Sequence, residues 1–277
     1  MKTAYILAAC RTPGCRAKKG GFKDMRPDDL AAAAIKGLVQ RSGIDPEKID
    51  DVLFGCAFPE AEQGMNFARI AALKAGLPYQ VPAQTINRFC SSGLQSIASA
   101  AERIIAGFAD CIVAGGAESM SLVPMGGNKY SANPGLAESW PETYASMGIT
   151  AERVADLYAI SREQQDRFAV ASHTKAAAAI AAGRFTEEII PVEAEETLII
   201  RNKVQKNRKL ISIDDGVRPD TSLAGLARLA PAFKLNGTVT AGTSSQMTDG
   251  AAAVLVVSGE FLREIGAKPL ARFVSFA

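Results

Sequence analysis

The chain has one histidine, His173, among 277 residues. Its five cysteines, Cys10, Cys15, Cys56, Cys90 and Cys111, form no C-x-x-C pair. A zinc cluster of cysteines and histidines is therefore excluded, and no metal is expected. The cysteine count is odd, the spacing irregular and the chain long, which is not a disulfide framework. A reducing cytoplasm is the expected setting. No apolar run reaches the length of a bilayer span; AAAVLVVSG is strand-sized. The opening MKTAYILAACRTPG is too short for a secretory apolar region and reads as a first strand. A net charge of +2 gives no reason to expect nucleic acid or a membrane surface as partner. No G-x-G-x-x-G follows a strand, so the dinucleotide fingerprint is missing, and no internal repeat is evident.

What is present is a globular composition, 48% hydrophobic and 22% charged, with ample material for a core. Strand and helix signals alternate through the first part. TAYILAA (3–9), IDDVLFG (49–55), PAQTINR (82–88) and DCIVAGG (110–116) read as strands. RPDDLAAAAIKGLVQRSG reads as a helix, with Asp28 and Asp29 at its positive end and Gly43 after its last turn. NFARIAALKAG reads as a second helix closed by Gly76. Ser91 to Gly107 reads as a third, with Leu94, Ile97, Ala98, Ala101, Ile104 and Ile105 on one face. Strands separated by helices imply crossovers and an α/β fold, a mixed, mostly parallel five-stranded sheet between helices.

After Glu118 the texture changes. Residues 121–149 have no clean period, TAERVADLYAIS is a short helix, and Ser161 with Gln164 forms a capping-box start for a long Ala-rich helix ending near Gly183. Residues 187–213 read as strands or a hairpin with a basic tip, and LAGLARLAPAF as a short helix. DGAAAVLVVS (249–258) then returns to a buried strand, followed by FLREIGA as a helix. Residues 1–118 with 249–277 are thus expected to form one α/β domain, and 119–248 an inserted α+β domain.

Chemistry concentrates in TINRFCSSGLQSIASAAERIIAG (85–107). Cys90 falls between a strand and a helix start, where unpaired N–H groups and the helix dipole favour a thiolate. Ser91, Ser92 and Gly93 are small enough for a substrate to approach and are suited to cap the helix. Ligands of open α/β sheets gather beyond the carboxyl ends of the strands, where Cys90 would lie. Spacing alone leaves two readings open, a nucleophile or a buried structural thiol. Gly115 and Gly116, at the end of the fourth strand, are expected to permit a tight turn and close approach near Cys90. The other four cysteines read as small core or loop residues.

NRFCSSGLQSIASA followed by GGAESMS (115–121) closely resembles the thiolase family. The likeness extends to ACRTPG, SMGITAERVA, SREQQDRFAVASHTKA and GTVTAGTSSQMTDGAAA, in order, over residues 3–277. NRFCSSGLQ looks more like the degradative 3-ketoacyl-CoA type than the biosynthetic acetoacetyl-CoA type. The resemblance implies that Cys90 accepts the acyl group. A thiolate attacks the 3-keto carbon, the carbon–carbon bond breaks, acetyl-CoA leaves as an enolate that is protonated, and a second CoA thiol takes the acyl group. The backbone N–H of Cys90 resembles one oxyanion-hole donor.

The resemblance also implies that the insertion, the family's loop domain, binds coenzyme A as a substrate, with no prosthetic cofactor. Met147 in SMGITAE would lie along the pantetheine, Arg218 in GVRPDTS by the adenine nucleotide, and Ala241 and Ser245 in TAGTSS along the pantetheine slot. Ser146 stands where related chains often have His, and Gly225 where some have Ser, so contacts from those side chains are not carried over. Without the resemblance, Met147 would read as a core methionine and Arg218 as a solvated charge. A homodimer or homotetramer in fatty acid β-oxidation is the implied setting.

His173 invites a Cys–His pairing but lies mid-helix in FAVASHTKAAA, a helix that supplies no catalytic base in the family. The basic run RNKVQKNRK, with Arg201, Lys203, Lys206, Arg208 and Lys209, reads as a solvated hairpin or as an attractor for CoA phosphates. The family's G-H-P, N-E-A-F and C-x-G-G-G motifs, which belong to a second α/β half, do not occur in this chain, and its last residues, PLARFVSFA, are strand-like. The sequence thus reads as an N-terminal domain plus loop domain whose turnover is incomplete without the other half. Two other readings remain, a non-catalytic acyl- or CoA-binding subunit that needs a partner, and the biosynthetic thiolase. SREQQDRFAVASH and GTVTAG argue against a decarboxylative ketoacyl synthase.

Overall fold

A computed structural model describes residues 2–200 and 203–277, which divide into two compact units. The first comprises Met1–Asn128, Glu188–Gly216 and Met247–Ala277, the second Lys129–Glu187 and Val217–Gln246. No described helix is long and apolar enough to cross a membrane.

The first unit is built on a twisted sheet. Its strands are β1 (Ala4–Arg11), β2 (Cys15–Arg16), β3 (Asp51–Gly55), β4 (Ala83–Ile86) and β5 (Cys111–Glu118). A hairpin of β6 (Val192–Ile200) and β7 (Lys203–Ile211) follows, then β8 (Thr248–Ser258) and β9 (Ala271–Arg272). The sheet runs β4-β3-β5-β8-β1-β9, with β2 pairing to β8. The five strands expected from sequence form its body, and the two-residue strands β2 and β9 extend it. β3 is parallel to β4 and β5, whereas β8 is antiparallel to both β5 and β1. β8 enters after a long excursion, so no short crossover constrains its direction.

Helices cover both faces. On one, α1 (Pro27–Ser42) and α2 (Phe67–Lys74) bury Leu30, Ile35, Leu38, Phe67 and Ala71 against Phe54, Val113 and Leu255. On the other, α3 (Ser92–Ile105) packs Ala100, Ala101 and Ile104 against Leu53, Ile112 and Val256. Each large apolar side chain so buried contributes about 1.5–3 kcal/mol relative to exposure. Local signals end the helices as expected. Gly43 closes α1 at φ +66°, and its N–H donates to the Val39 carbonyl.

The expected face of α3 is corrected. Leu94 is 57% exposed, and Ser92, Ser96, Ala98, Ala100, Ala101 and Ile104 are the buried positions. The strands beneath carry glycine at the contact, and only small side chains fit there.

The hairpin packs with the first unit, because Val192, Ala194 and Ile211 join its core. Arg201 lies outside the described residues. Lys203, Lys206, Arg208 and Lys209 are exposed on β7; Arg208 faces Glu195 across the ladder, and Lys206 Nζ reaches Glu195 Oε1 at 2.6 Å. That hydrogen bond holds the Glu195 carboxyl below its usual range. These are the cross-strand charges of a solvated hairpin.

The second unit contains α4 (Pro134–Ser139), α5 (Met147–Leu157), α6 (Arg162–Ala181) and α7 (Leu223–Ala227). The capping box opening α6 is present in both directions, Ser161 with Gln164. The short helix α4 falls in the stretch without a clean period. A further helix, α8 (Gly259–Glu264), follows β8 in the first unit.

Candidate active site

β4 delivers the chain to a tight elbow that carries Cys90 and opens α3. Within it the Ser91 N–H donates to the Arg88 carbonyl (3.2 Å) and the Ser92 N–H to the Phe89 carbonyl (3.0 Å). Phe89 has φ +47°, a left-handed conformation that bulky L residues rarely adopt. Its N–H donates to Asn87 Oδ1 at 2.9 Å. Cys90 is exposed, while Cys10, Cys15, Cys56 and Cys111 are buried. Among the described residues, no acceptor pairs with the Cys90 N–H. An exposed thiol and a free amide at the start of a 14-residue helix form an acyl-acceptor geometry, with a donor available for an oxyanion.

Close backbone approach sets this elbow on the sheet. A Cβ on Gly55 of β3 would lie 2.5 Å from the Ser92 carbonyl carbon, and one on Gly116 of β5 would lie 3.4 Å from the Gly93 Cα. Close approach at Gly116 is therefore as expected. The expected turn at Gly115 and Gly116 is not formed, because β5 runs on through both to Glu118. Gly115 instead makes room for β8, since a Cβ there would meet the Ala252 oxygen at 2.1 Å. Ser96, fully buried, lies with its Oγ 2.7 Å from the Gly93 carbonyl oxygen and 2.8 Å from that of Gly115, and accepts the Gly115 N–H (2.9 Å). The expected serine cap takes a different form. Ser91 is the N-cap but makes no side-chain cap bond, and its Oγ donates back to the Arg88 carbonyl (3.1 Å).

A second support was not legible as such in the sequence. The Glu118 carboxylate at the end of β5 accepts the N–H groups of Ala57 (2.7 Å) and Phe58 (3.3 Å) and the Gln63 amide (2.6 Å). Gln63, fully buried, accepts the Ser119 N–H at 2.6 Å. The segment so held presents the Phe58 ring to the Phe89 ring, with centroids 6.0 Å apart. The motif GGAESMS is the signal that marks these residues, but nothing in its spacing points to Gln63.

The buried thiols are chemically quiet. Burial pushes Cys10 up to about 11 and Cys15, Cys56 and Cys111 up to about 12. Nearby carboxylates add to this for the last three, Glu118 beside Cys56 being one.

The second unit holds Met147, Arg218, Ala241 and Ser245. Ser146 caps α5 by accepting the Ile149 N–H, which places Met147 on the first turn, 63% exposed. Met147, Ala151, Val154, Val239 and Thr243 line a largely apolar cleft of about 320 Å3. Ala241 lies in the turn between Val239 and Thr243, where the Thr240 N–H donates to Thr243 Oγ1 (3.0 Å) and Ser244 Oγ donates to the Thr240 carbonyl (2.8 Å). Ala241 and Ser245 are exposed. Arg218 is tied to α6 through its backbone, its N–H donating to His173 Nδ1 at 3.1 Å. His173 thus acts as an acceptor for that loop.

Comparison with known proteins agrees with these features. The family model described as "Thiolase, N-terminal domain" matches residues 4–260. The chain is 53% identical to a 3-ketoacyl-CoA thiolase of Bacillus subtilis (strain 168) over 278 residues, covering 100% of this chain and 71% of that protein. It is 44% identical to the peroxisomal 3-ketoacyl-CoA thiolase 5 of Arabidopsis thaliana, covering 98% of this chain and 60% of that one. Among solved structures, the Bacillus anthracis acetyl-CoA acetyltransferase superimposes with a TM-score of 0.83 at 37% identity, over 98% of this chain and 69% of that one. Sequence motifs, sheet and elbow converge on one assignment, and the chain belongs to the thiolase family.

Proposed function

We propose that the protein acts in the thiolytic cleavage of 3-ketoacyl-CoA to acetyl-CoA and a shortened acyl-CoA, with Cys90 as the acyl acceptor. The single observation that carries this reading is the elbow. One exposed thiol stands at the helix start beside an unpaired amide, while the four other thiols are buried. The Cys90 thiolate attacks the 3-keto carbon, the tetrahedral oxyanion is met by the Cys90 N–H, and collapse expels the acetyl-CoA enolate, which takes up a proton to give acetyl-CoA. The incoming CoA thiol then gives up its proton, attacks the Cys90 thioester, releases acyl-CoA and returns the thiolate.

Coenzyme A enters this reading as a substrate, with no prosthetic group. Its pantetheine is assigned to Met147, Ala241 and Ser245, and its nucleotide end to Arg218. The apolar lining beside Met147 supports the pantetheine assignment. His173 is not proposed as the base, because its Nδ1 is engaged by the Arg218 N–H.

A homodimer or homotetramer is part of the proposal. In support, β4 is an edge strand of the sheet, and Met65, Tyr79 and Phe89 in the segments around it are 90%, 75% and 65% exposed. A cytoplasmic place in fatty acid β-oxidation fits the five free thiols.

The test is thiolysis of acetoacetyl-CoA in the presence of CoA, comparing the wild-type protein with C90S. The reading expects acetyl-CoA formation to fall at least ~10³-fold on losing the nucleophile. A C90S protein with wild-type turnover would refute it.

A further inference from the structure

The hydroxyl of Ser92 closes a clamp around Cys90. Ser92 is 4% exposed, and its Oγ accepts the Arg88 N–H at 2.9 Å and donates to the Phe89 carbonyl at 2.6 Å. Its backbone N–H also donates to the Phe89 carbonyl. The residues gripped lie immediately before the nucleophile, and one of them, Phe89, is held at φ +47°. Ser92 itself is immobilised from below, since Gly55 leaves no room beneath its carbonyl and Ser96, one turn on, is bonded to Gly115. This hydroxyl does not cap α3, whose N-cap is Ser91. Both its bonds point back into the elbow.

We propose that Ser92 is a positioning residue for Cys90: its hydroxyl holds Phe89 in the left-handed conformation and so fixes the direction of the neighbouring thiol and amide. The inference rests on the reading of Cys90 as acyl acceptor. Without the clamp, Phe89 relaxes toward negative φ, where L residues are more stable. That rotation turns the Cys90 Sγ and N–H together, away from an acyl carbon that both must meet. The thiol stays exposed and reactive to small reagents but is misdirected for acyl transfer.

The experiment compares two reactions of the same thiol in wild type and S92A, acetyl transfer from acetyl-CoA and alkylation by iodoacetamide, both followed by intact mass. Acetylation of Cys90 is expected to fall about tenfold or more, within the ~10²-fold that a misplacement of ~1 Å can produce. Alkylation of Cys90 at the same pH is expected to change less than about threefold, because it needs an exposed thiolate but no fixed direction of approach. Equal acetylation by S92A and wild type overturns the inference. If wild type takes no acetyl group, the acyl-acceptor reading itself fails, and this inference with it.

A protein that merely unfolds would show all five thiols alkylated. In that case the pair F89G and S92A/F89G replaces S92A, because glycine accepts a positive φ without a clamp. The double variant should then acetylate within about threefold of F89G. A deficit of about tenfold or more in that pair overturns the clamp.

Discussion

The Glu152 carboxylate on α5 accepts the backbone N–H groups of Thr238 (3.0 Å) and Val239 (2.9 Å), and with them the Thr238 hydroxyl (3.3 Å). Glu152 is 2% exposed. Gln165 of α6 donates to Thr238 Oγ1 (3.0 Å) and to the Ile160 carbonyl (3.3 Å). The sequence stretches SMGITAE, SREQQDRF and GTVTAG therefore meet at Thr238. The join holds the 238–241 segment to the helix that carries Met147. E152A leaves two N–H groups without acceptors, and the predicted loss is about 2–4 kcal/mol. E152Q keeps one acceptor oxygen and should lose less. Thermal unfolding checks the order, wild type above E152Q above E152A. G237A should resemble E152A, because its Cβ would lie 2.2 Å from Glu152 Oε1.

Thiol accessibility gives a second prediction. At pH 8 the native protein should take one iodoacetamide, on Cys90, and five after denaturation, read by intact mass. The same burial makes stability fall in alkali. Burial raises the four thiols in the folded state to about 11 or 12 from an ordinary value of 9.0. Above pH 9 the unfolded chain loses protons that the folded one retains, so unfolding is favoured. Each thiol contributes about 1.4 kcal/mol per pH unit until its folded value is reached. A urea midpoint that holds constant from pH 8 to pH 11 would contradict this.

Glu118 bears on the elbow from the other side. E118A strands the Ala57 and Phe58 N–H groups and the Gln63 amide, so the 57–63 segment should loosen and the Phe58–Phe89 contact weaken. The expected result is faster amide exchange over residues 57–64 and a loss of about 2–4 kcal/mol. Unchanged exchange in that segment would exclude this role.

For the second unit, H173A removes the acceptor of the Arg218 N–H. The proposed nucleotide contact should loosen, raising the CoA concentration for half-maximal thiolysis by about two- to tenfold. Acetylation of Cys90 at saturating acetyl-CoA should be unchanged. A fall in saturated acetylation would mean that His173 acts on the chemistry itself.

Local chemistry explains what the sequence made legible. The capping box of Ser161 and Gln164 and the left-handed Gly43 depend on a few neighbouring residues, and both are present. Apolar content marked β8 as a buried strand, but an apolar run carries no direction, and its antiparallel pairing with β1 and β5 comes from the return of the chain. Periodicity put Leu94 in the core. The glycines of β3 and β5, distant in sequence, bring the strand backbone against Ser92, Gly93 and Ser96 of α3, and Leu94 is left exposed. Cys90 was marked as a candidate by its place at a strand–helix junction. Its braces, Ser92 and Glu118, act through bonds to backbone groups that no residue pattern announces.

The most direct measurement is to incubate the protein with acetyl-CoA, quench in acid and locate the acetyl group by peptide mass. One acetyl group on Cys90, absent in C90S, is the predicted result. No acetyl group, or one on a lysine or on Cys10, Cys15, Cys56 or Cys111, would contradict the assignment of Cys90 as the acyl acceptor.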